Sequence, residues 1–238
     1  MLLSQKLAAR TVFHQNKVRS DANIKKVIDI WGLKDFSDEV QGIADLSSGN
    51  DGEVFKAFIK YDPYALKLYK TGLNEQFVFF QQALFDKRDS AEAKRPAGVA
   101  VYHVAVPVGY LTHLDKVGLL FRYIVEPEPS RGPTQDDQNM VEAQMKFCHW
   151  LGYLHLDITP RNILLSRDGK AFLMDYDAVC QIGKVPLGPI PPESSNPVKR
   201  RDPAGVSDDL HLWQLTLQSY FGMFCLVYMC VHALPQDT

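Results

Sequence analysis

Residues 153–177 read Tyr-Leu-His-Leu-Asp-Ile-Thr-Pro-Arg-Asn-Ile-Leu-Leu-Ser-Arg-Asp-Gly-Lys-Ala-Phe-Leu-Met-Asp-Tyr-Asp. His155, Asp157 and Asn162 stand in the spacing H-x-D-x-x-x-x-N. Two short apolar runs, Ile163–Ser166 and Ala171–Met174, bracket Arg167-Asp168-Gly169, a turn signal, and predict a hairpin. Such a hairpin returns Asp175 to face Asn162, and an acidic Asp175-Tyr176-Asp177 follows. Phosphoryl transfer asks for this kind of set. A hydroxyl nucleophile needs a carboxylate to orient it and take its proton. A Mg²⁺-bound triphosphate needs hard oxygen ligands, such as an Asn carbonyl and an Asp carboxylate.

Upstream, Ser47-Ser-Gly49-Asn-Asp-Gly52-Glu-Val54 places glycines between two β-forming runs, where backbone N–H groups can approach phosphates. Tyr64-Ala65-Leu66-Lys67 sets a lysine between apolar strand residues. Residues 22–40 have helical spacing and 42–48 read as a strand. Val54–Lys60 and Tyr64–Tyr69 read as strands joined by a turn at Asp62-Pro63. Residues 74–87 predict a helix, and Val99–Val106 and Lys116–Val125 predict strands. The Pro-rich stretch 126–133 cannot be a helix interior and reads as a hinge. Beyond it, helix is expected over Gln135–Gly152, an extended loop over 182–197 and helix over 206–234, the last buried on nearly every side. The order is a small β-rich lobe, a hinge and a mainly helical lobe.

The 153–177 segment resembles the catalytic loop and metal-binding motif of the protein-kinase-like superfamily. The stretch Ser47–Val54 is similar to that family's Gly-rich loop, with Ser47 at the first Gly, and Tyr64–Lys67 resembles its V-A-I-K strand. Cys148–Gly152 resembles the end of the long helix before the catalytic loop, Pro192-Glu193 the end of A-P-E, and Asp209 the residue that anchors the loop backbone. The resemblance spans roughly residues 40 to 234. It implies an α+β, two-lobed fold with a small antiparallel sheet and a mainly helical, shortened second lobe. The expected divisions are a flanking helical segment 1–40, a first lobe 41–125, a hinge 126–133 and a second lobe 134–238. It implies ATP and Mg²⁺ as cofactors. Asp157 would orient a hydroxyl, Asn162 and Asp175 would hold Mg²⁺, and Lys67 with Gly49 and Gly52 would hold phosphates. Val54 and Ala65 would roof the adenine, Leu164 would floor it, Phe121 would be the gatekeeper and Tyr123–Val125 the hinge backbone. The implied function is a protein Ser/Thr kinase-like phosphotransferase. A pseudokinase scaffold and a small-molecule kinase of the aminoglycoside or choline type are the alternatives.

The departures shape those alternatives. Leu156 replaces the Arg of H-R-D, and residues 177–193 contain no Ser, Thr or Tyr, so control by phosphorylation of that segment is not expected. Asp177 replaces the Gly of D-F-G, as in small-molecule kinases. The Glu that pairs with the family's lysine is expected near position 80 or 81, where Phe80 and Gln81 stand; Glu75 and Asp86 are the nearest acids. The chain ends soon after Asp209, which suggests a protein partner over the shortened lobe.

Composition agrees with a folded globular protein. The 238 residues are 46% apolar and 23% charged, with net charge −2, so no basic field points to nucleic acid. Four scattered cysteines without a C-x-x-C pair argue against a disulfide scaffold or zinc ribbon and for reduced thiols. A cytoplasmic or nuclear location is expected. The acid-free residues 1–20 give a weak match to a mitochondrial transit peptide. The apolar run 221–234 is too short for a membrane span, so no membrane partner is expected.

Overall fold

The computed structural model describes residues 22–48, 52–70, 72–113, 116–127, 131–186 and 203–220. Gly49, the basic segment 1–20, the Pro-Pro-Glu segment, the basic run Lys199–Arg201 and the apolar run 221–234 lie outside them. Among the described residues no helix is long and apolar enough to cross a membrane.

Strands β1 (Val40–Ser48), β2 (Gly52–Ile59), β3 (Asp62–Tyr69), β4 (Gly109–His113) and β5 (Lys116–Arg122) form one antiparallel sheet in the order β1-β2-β3-β5-β4. Alternation sorts its faces. Phe55, Ala57 and Ile59 turn to one side and bury themselves with Leu66, Leu111 and Leu120. The other side carries Val54, Ala65 and Lys67 toward the second half of the molecule. The β2–β3 turn lies at Lys60 and Tyr61, not at Asp62-Pro63 as the sequence suggested. Both residues are left-handed, with φ of 52° and 73°, the geometry a two-residue hairpin needs, and Asp62 and Pro63 already pair in β3.

Helix α1 (Ala22–Trp31) packs on α2 (Glu75–Lys87), which begins at Asn74, whose side chain accepts from the Gln76 N–H at 2.9 Å. Helix α3 (Pro96–Ala105) corrects the strand expected over Val99–Val106. Pro96 sits in the first turn with its φ already set for a helix. Gly98, Val101, Val104 and Ala105 then fall on one buried face, a spacing no strand can bury. Packing here overrides the β preference of the valines. Strand β4, unassigned from sequence, follows a Pro-Val-Gly stretch that hides its short apolar signal.

Helix α4 (Gln135–Trp150) starts with a capping box between Thr134 and Asp137. Arg131 grips the buried Asp137 carboxylate with two bonds of 2.6 and 2.8 Å. The Arg131 fork first, and then the Thr134 bonds against the cost of burial, hold the Asp137 carboxyl down at about 2. A carboxylate depressed from its unfolded value contributes stability above about pH 4, and this is lost as pH falls toward about 2. The contribution is about 2 kcal/mol. Urea midpoints measured from neutral to acid pH should therefore fall below about pH 4 in the wild type. In Asp137→Asn that loss should already be present at neutral pH, with the matching part of the acid slope gone.

The second half continues through β6 (Tyr153–Leu154), β7 (Ile163–Leu165), β8 (Ala171–Leu173), β9 (Cys180–Gln181) and α5 (Val206–Tyr220). Strands β7 and β8 form the expected hairpin, and β6 pairs with β9. Helix α5 buries one stripe, Asp209, Leu212, Trp213 and Thr216, against α4 and the loop before β7, while Leu210 stays 39% exposed. Over its described length it is amphipathic rather than buried all round. Among the described residues the fold is α+β, with a small antiparallel sheet lobe and a mainly helical lobe.

Candidate active site

The loop between β6 and β7 is hung from Asp209. Its buried carboxylate accepts the N–H groups of His155 and Leu156, each at 2.8 Å, and faces His149 Nε2 at 2.9 Å. These bonds hold Leu156 in a left-handed conformation, φ 59°, that a branched side chain does not adopt freely. In place of the expected arginine, Leu156 is buried with Leu154, Cys180 and Ala204. An apolar contact thus ties Leu156 to Cys180 of β9 and to Ala204.

His155 is fully buried beside Tyr176, ring centroids 4.7 Å apart, and Tyr176 stacks on Phe80 of α2 at 5.3 Å. Burial pushes the His155 pKa down, against the pull of Asp209 and Asp157, so the ring is neutral. Its partners assign the tautomer: Nε2–H donates to the Met174 carbonyl at 3.0 Å, and Nδ1 accepts from Asp157 N at 3.3 Å. The column His155–Tyr176–Phe80 ties the loop to α2.

Asp157 is 7% exposed. Its Oδ2 accepts from Asn162 Nδ2 at 2.7 Å, while its buried Oδ1 makes no hydrogen bond and has Arg161 at 3.6 Å. Burial raises the Asp157 pKa, against His155, Asn162 and Arg161, which lower it. Asn162 Nδ2 also reaches the Asp157 carbonyl at 2.9 Å, which leaves the amide oxygen at the other end of the group. The β7–β8 hairpin closes on this residue: Met174 N–H donates to the Asn162 carbonyl at 2.7 Å, so Asp175 comes next to it.

Asp175 is itself left-handed, φ 63°, opening the short 3₁₀ turn at Tyr176–Ala178. Its Oδ1 lies 2.7 Å from Lys67 Nζ, and Asp177 Oδ2 lies 2.7 Å from the same nitrogen. The ammonium is desolvated by burial, yet Asp177 and then Asp175 outweigh that cost and hold the Lys67 pKa well above the lysine norm. Burial works against the Asp175 carboxylate, but Lys67 overcomes it and lowers the pKa.

Lys67 pairs across the sheet with Val54 and Leu119, and Ala65 with Phe121, so the four apolar residues share its face. Gly52 opens β2 beside them; a Cβ there would stand 2.6 Å from the Leu68 carbonyl. Lys56, on the same face, lies 4.3 Å above the Tyr123 ring. The linker is tied to the hairpin turn, with Arg167 N–H donating to the Val125 carbonyl at 2.8 Å. Leu164 packs in the same apolar cluster as Phe121 and Met174. A cavity of about 1140 Å³ between α3, the linker, α4 and the hairpin touches Tyr123 and Val125 but none of Lys67, Asp157, Asn162 or Asp175.

Sequence reasoning looked for a carboxylate partner of Lys67 on α2. The structure has Phe80 and Gln81 buried there, Glu75 exposed, and the second partner at Asp177. The signal is present as the acid at position 177, which reads from sequence only as a departure from the D-F-G motif. Among the described residues no group of three or more His, Cys, Asp or Glu forms a metal cage. Mg²⁺ held against phosphates needs only one or two protein oxygens, and the Asp175 carboxylate and Asn162 amide fit that demand.

No family model matches the chain. It is 27% identical over 110 residues to a probable bifunctional tRNA threonylcarbamoyladenosine biosynthesis protein of Natronomonas pharaonis, covering 46% of this chain and 19% of that one. It is 27% identical over 152 residues to flippase kinase 1 of Saccharomyces cerevisiae, covering 60% and 17%. It is 27% identical over 120 residues to serine/threonine-protein kinase PknB of Mycobacterium tuberculosis, covering 47% and 19%. The matches thus span about a fifth of the length of these relatives. Over part of its length the chain is thus similar to protein-kinase-like proteins, and the motif order and the fold agree with that likeness.

Proposed function

We propose that the protein is an ATP- and Mg²⁺-dependent phosphotransferase acting on a protein Ser or Thr hydroxyl. The observation that carries this reading is the convergence of Lys67, Asp157, Asn162 and Asp175, drawn from both lobes, at one cleft. Lys67 holds the α- and β-phosphates, and the backbone at Gly52 covers them. Asn162 and Asp175 supply oxygens to Mg²⁺, which when bound screens the phosphate charge. Asp157 turns Oδ1, which makes no hydrogen bond, to the acceptor hydroxyl and takes the proton as the oxygen bonds to the γ-phosphorus. The bond from the γ-phosphorus to the bridging oxygen breaks, and ADP leaves. Val54, Ala65, Phe121 and Leu164 line the adenine site, with Tyr123 and Val125 at its edge. A protein acceptor is supported by the serine/threonine-protein kinases among the relatives. Leu156 carries no charge to receive a phosphate, which supports activity without phosphorylation of the following segment.

A nucleotide-binding scaffold without catalysis is the second reading. The contact favouring it is Lys67 on Asp175, which sequesters a carboxylate that catalysis needs for Mg²⁺. Thermal unfolding with ATP tests the proposal. At about 100 times Kd, ATP with Mg²⁺ should raise Tm by about 5–10 °C, and Asp175→Asn should abolish the Mg²⁺-dependent part. A folded wild type with no shift would overturn the nucleotide reading. A shift without phosphate transfer to any protein acceptor would favour the scaffold.

A further inference from the structure

We propose that Asp177 is the positioning residue that holds Lys67 for nucleotide, doing from the loop after β8 what a carboxylate on α2 does elsewhere in the superfamily. The inference rests on the nucleotide reading above and assigns a role to a residue that reading leaves unused. Lys67 Nζ touches two carboxylates at the same 2.7 Å distance, and the two do not have the same task. Asp175 is the proposed Mg²⁺ ligand, so its oxygens turn to the metal when nucleotide binds. Lys67 then keeps one protein carboxylate, Asp177, to fix the position of its buried ammonium against the phosphates.

Helix α2 offers none. Its buried side chains are Gln76, Phe77, Val78, Phe80, Gln81 and Leu84. Gln81 is already bound to Trp31 Nε1 at 2.8 Å and to the Ala105 carbonyl at 2.9 Å. The Gln76 amide oxygen accepts from Gln181 N–H at 3.1 Å. Glu75 is exposed, and Asp86 at the far end accepts from Gln82.

The backbone explains why position 177 can serve. Asp175 is left-handed and opens the 3₁₀ turn Tyr176–Ala178, which holds Asp177. The same turn sends the Asp177 side chain to Lys67, where it is 22% exposed. Tyr176, between them, is locked under Phe80 and beside His155, so the turn has little freedom to carry Asp177 away. A glycine at this position would keep the turn and lose the anion.

The test is a double-mutant cycle on nucleotide affinity, measured by titration with ATP, with and without Mg²⁺. Asp177→Asn should raise the Kd for ATP with Mg²⁺ about tenfold. Asp177→Glu should restore most of the affinity. In a Lys67→Met background, Asp177→Asn should have almost no further effect, because its action passes through Lys67. Asp177→Gly, the residue of the relatives' motif, is the second variant should the Asn protein not fold. Unchanged affinity in Asp177→Asn, or an equal loss in the Lys67→Met background, would overturn the assignment. So would a loss confined to Mg²⁺-containing solutions and independent of Lys67, which would make Asp177 a metal ligand instead. Wild-type protein that binds no ATP would overturn the nucleotide reading and this assignment together, whereas wild-type binding with an inert Asp177 would overturn the assignment alone.

Discussion

Asp157→Asn should lower kcat by about 10²–10⁴-fold, the usual worth of a positioned proton acceptor. The substitution keeps the shape of the group and its place against Asn162. What it removes is the carboxylate character of Oδ1, which makes no hydrogen bond and faces the acceptor hydroxyl in the proposed mechanism. KM for ATP should stay within about threefold, since the phosphates are held by other residues. The folded protein should not melt lower than wild type, because the amide relieves a charge whose burial already raises its pKa. Loss of activity with retained ATP affinity and retained Tm is the expected signature. An Asn variant with near wild-type kcat would remove Asp157 from the chemistry.

The second large effect concerns stability. Asp209→Ala should cost about 3–5 kcal/mol. The carboxylate is fully buried and satisfies two backbone N–H groups and His149 at once. Its loss leaves buried donors with no acceptor, and each such donor costs about 1–3 kcal/mol. It also frees Leu156 from the left-handed conformation that the two bonds maintain. For a domain of this size the loss should lower Tm by roughly 10–15 °C, or unfold the protein at physiological temperature. Asp209→Asn, which keeps one acceptor oxygen, should fall between. A melting point within about 2 °C of wild type in the Ala variant would show that the loop is held by something else.

Much of this architecture is legible where local and tertiary signals agree. The β7–β8 hairpin follows from two apolar triplets around Arg167-Asp168-Gly169, and α4 from its capping acids and apolar spacing. The loop from His155 to Asn162 is legible because its polar residues occur at fixed separations within one short stretch. Reading fails where distant parts decide. Local preference made a strand of Val99–Val106, but its partners, α2 and α4, lie elsewhere in the chain. The turn at Lys60 and Tyr61 uses left-handed residues with no Gly or Asn to announce them. The Lys67–Asp177 pair joins positions more than a hundred residues apart, and no spacing rule reaches that far.

Helix α3 packs on β5 of the sheet lobe and on α4 and β8 of the helical lobe, with His103 stacked on Phe172 at 5.4 Å. It is therefore a brace behind the linker. Rotating one lobe away from the other would have to peel that stack apart as well as bend the chain at Tyr123–Pro127. The two walls of the cleft are thus preorganised near their working separation. On the proposed reading, nucleotide association would then carry little cost for closing the lobes, and affinity would be set by the contacts themselves.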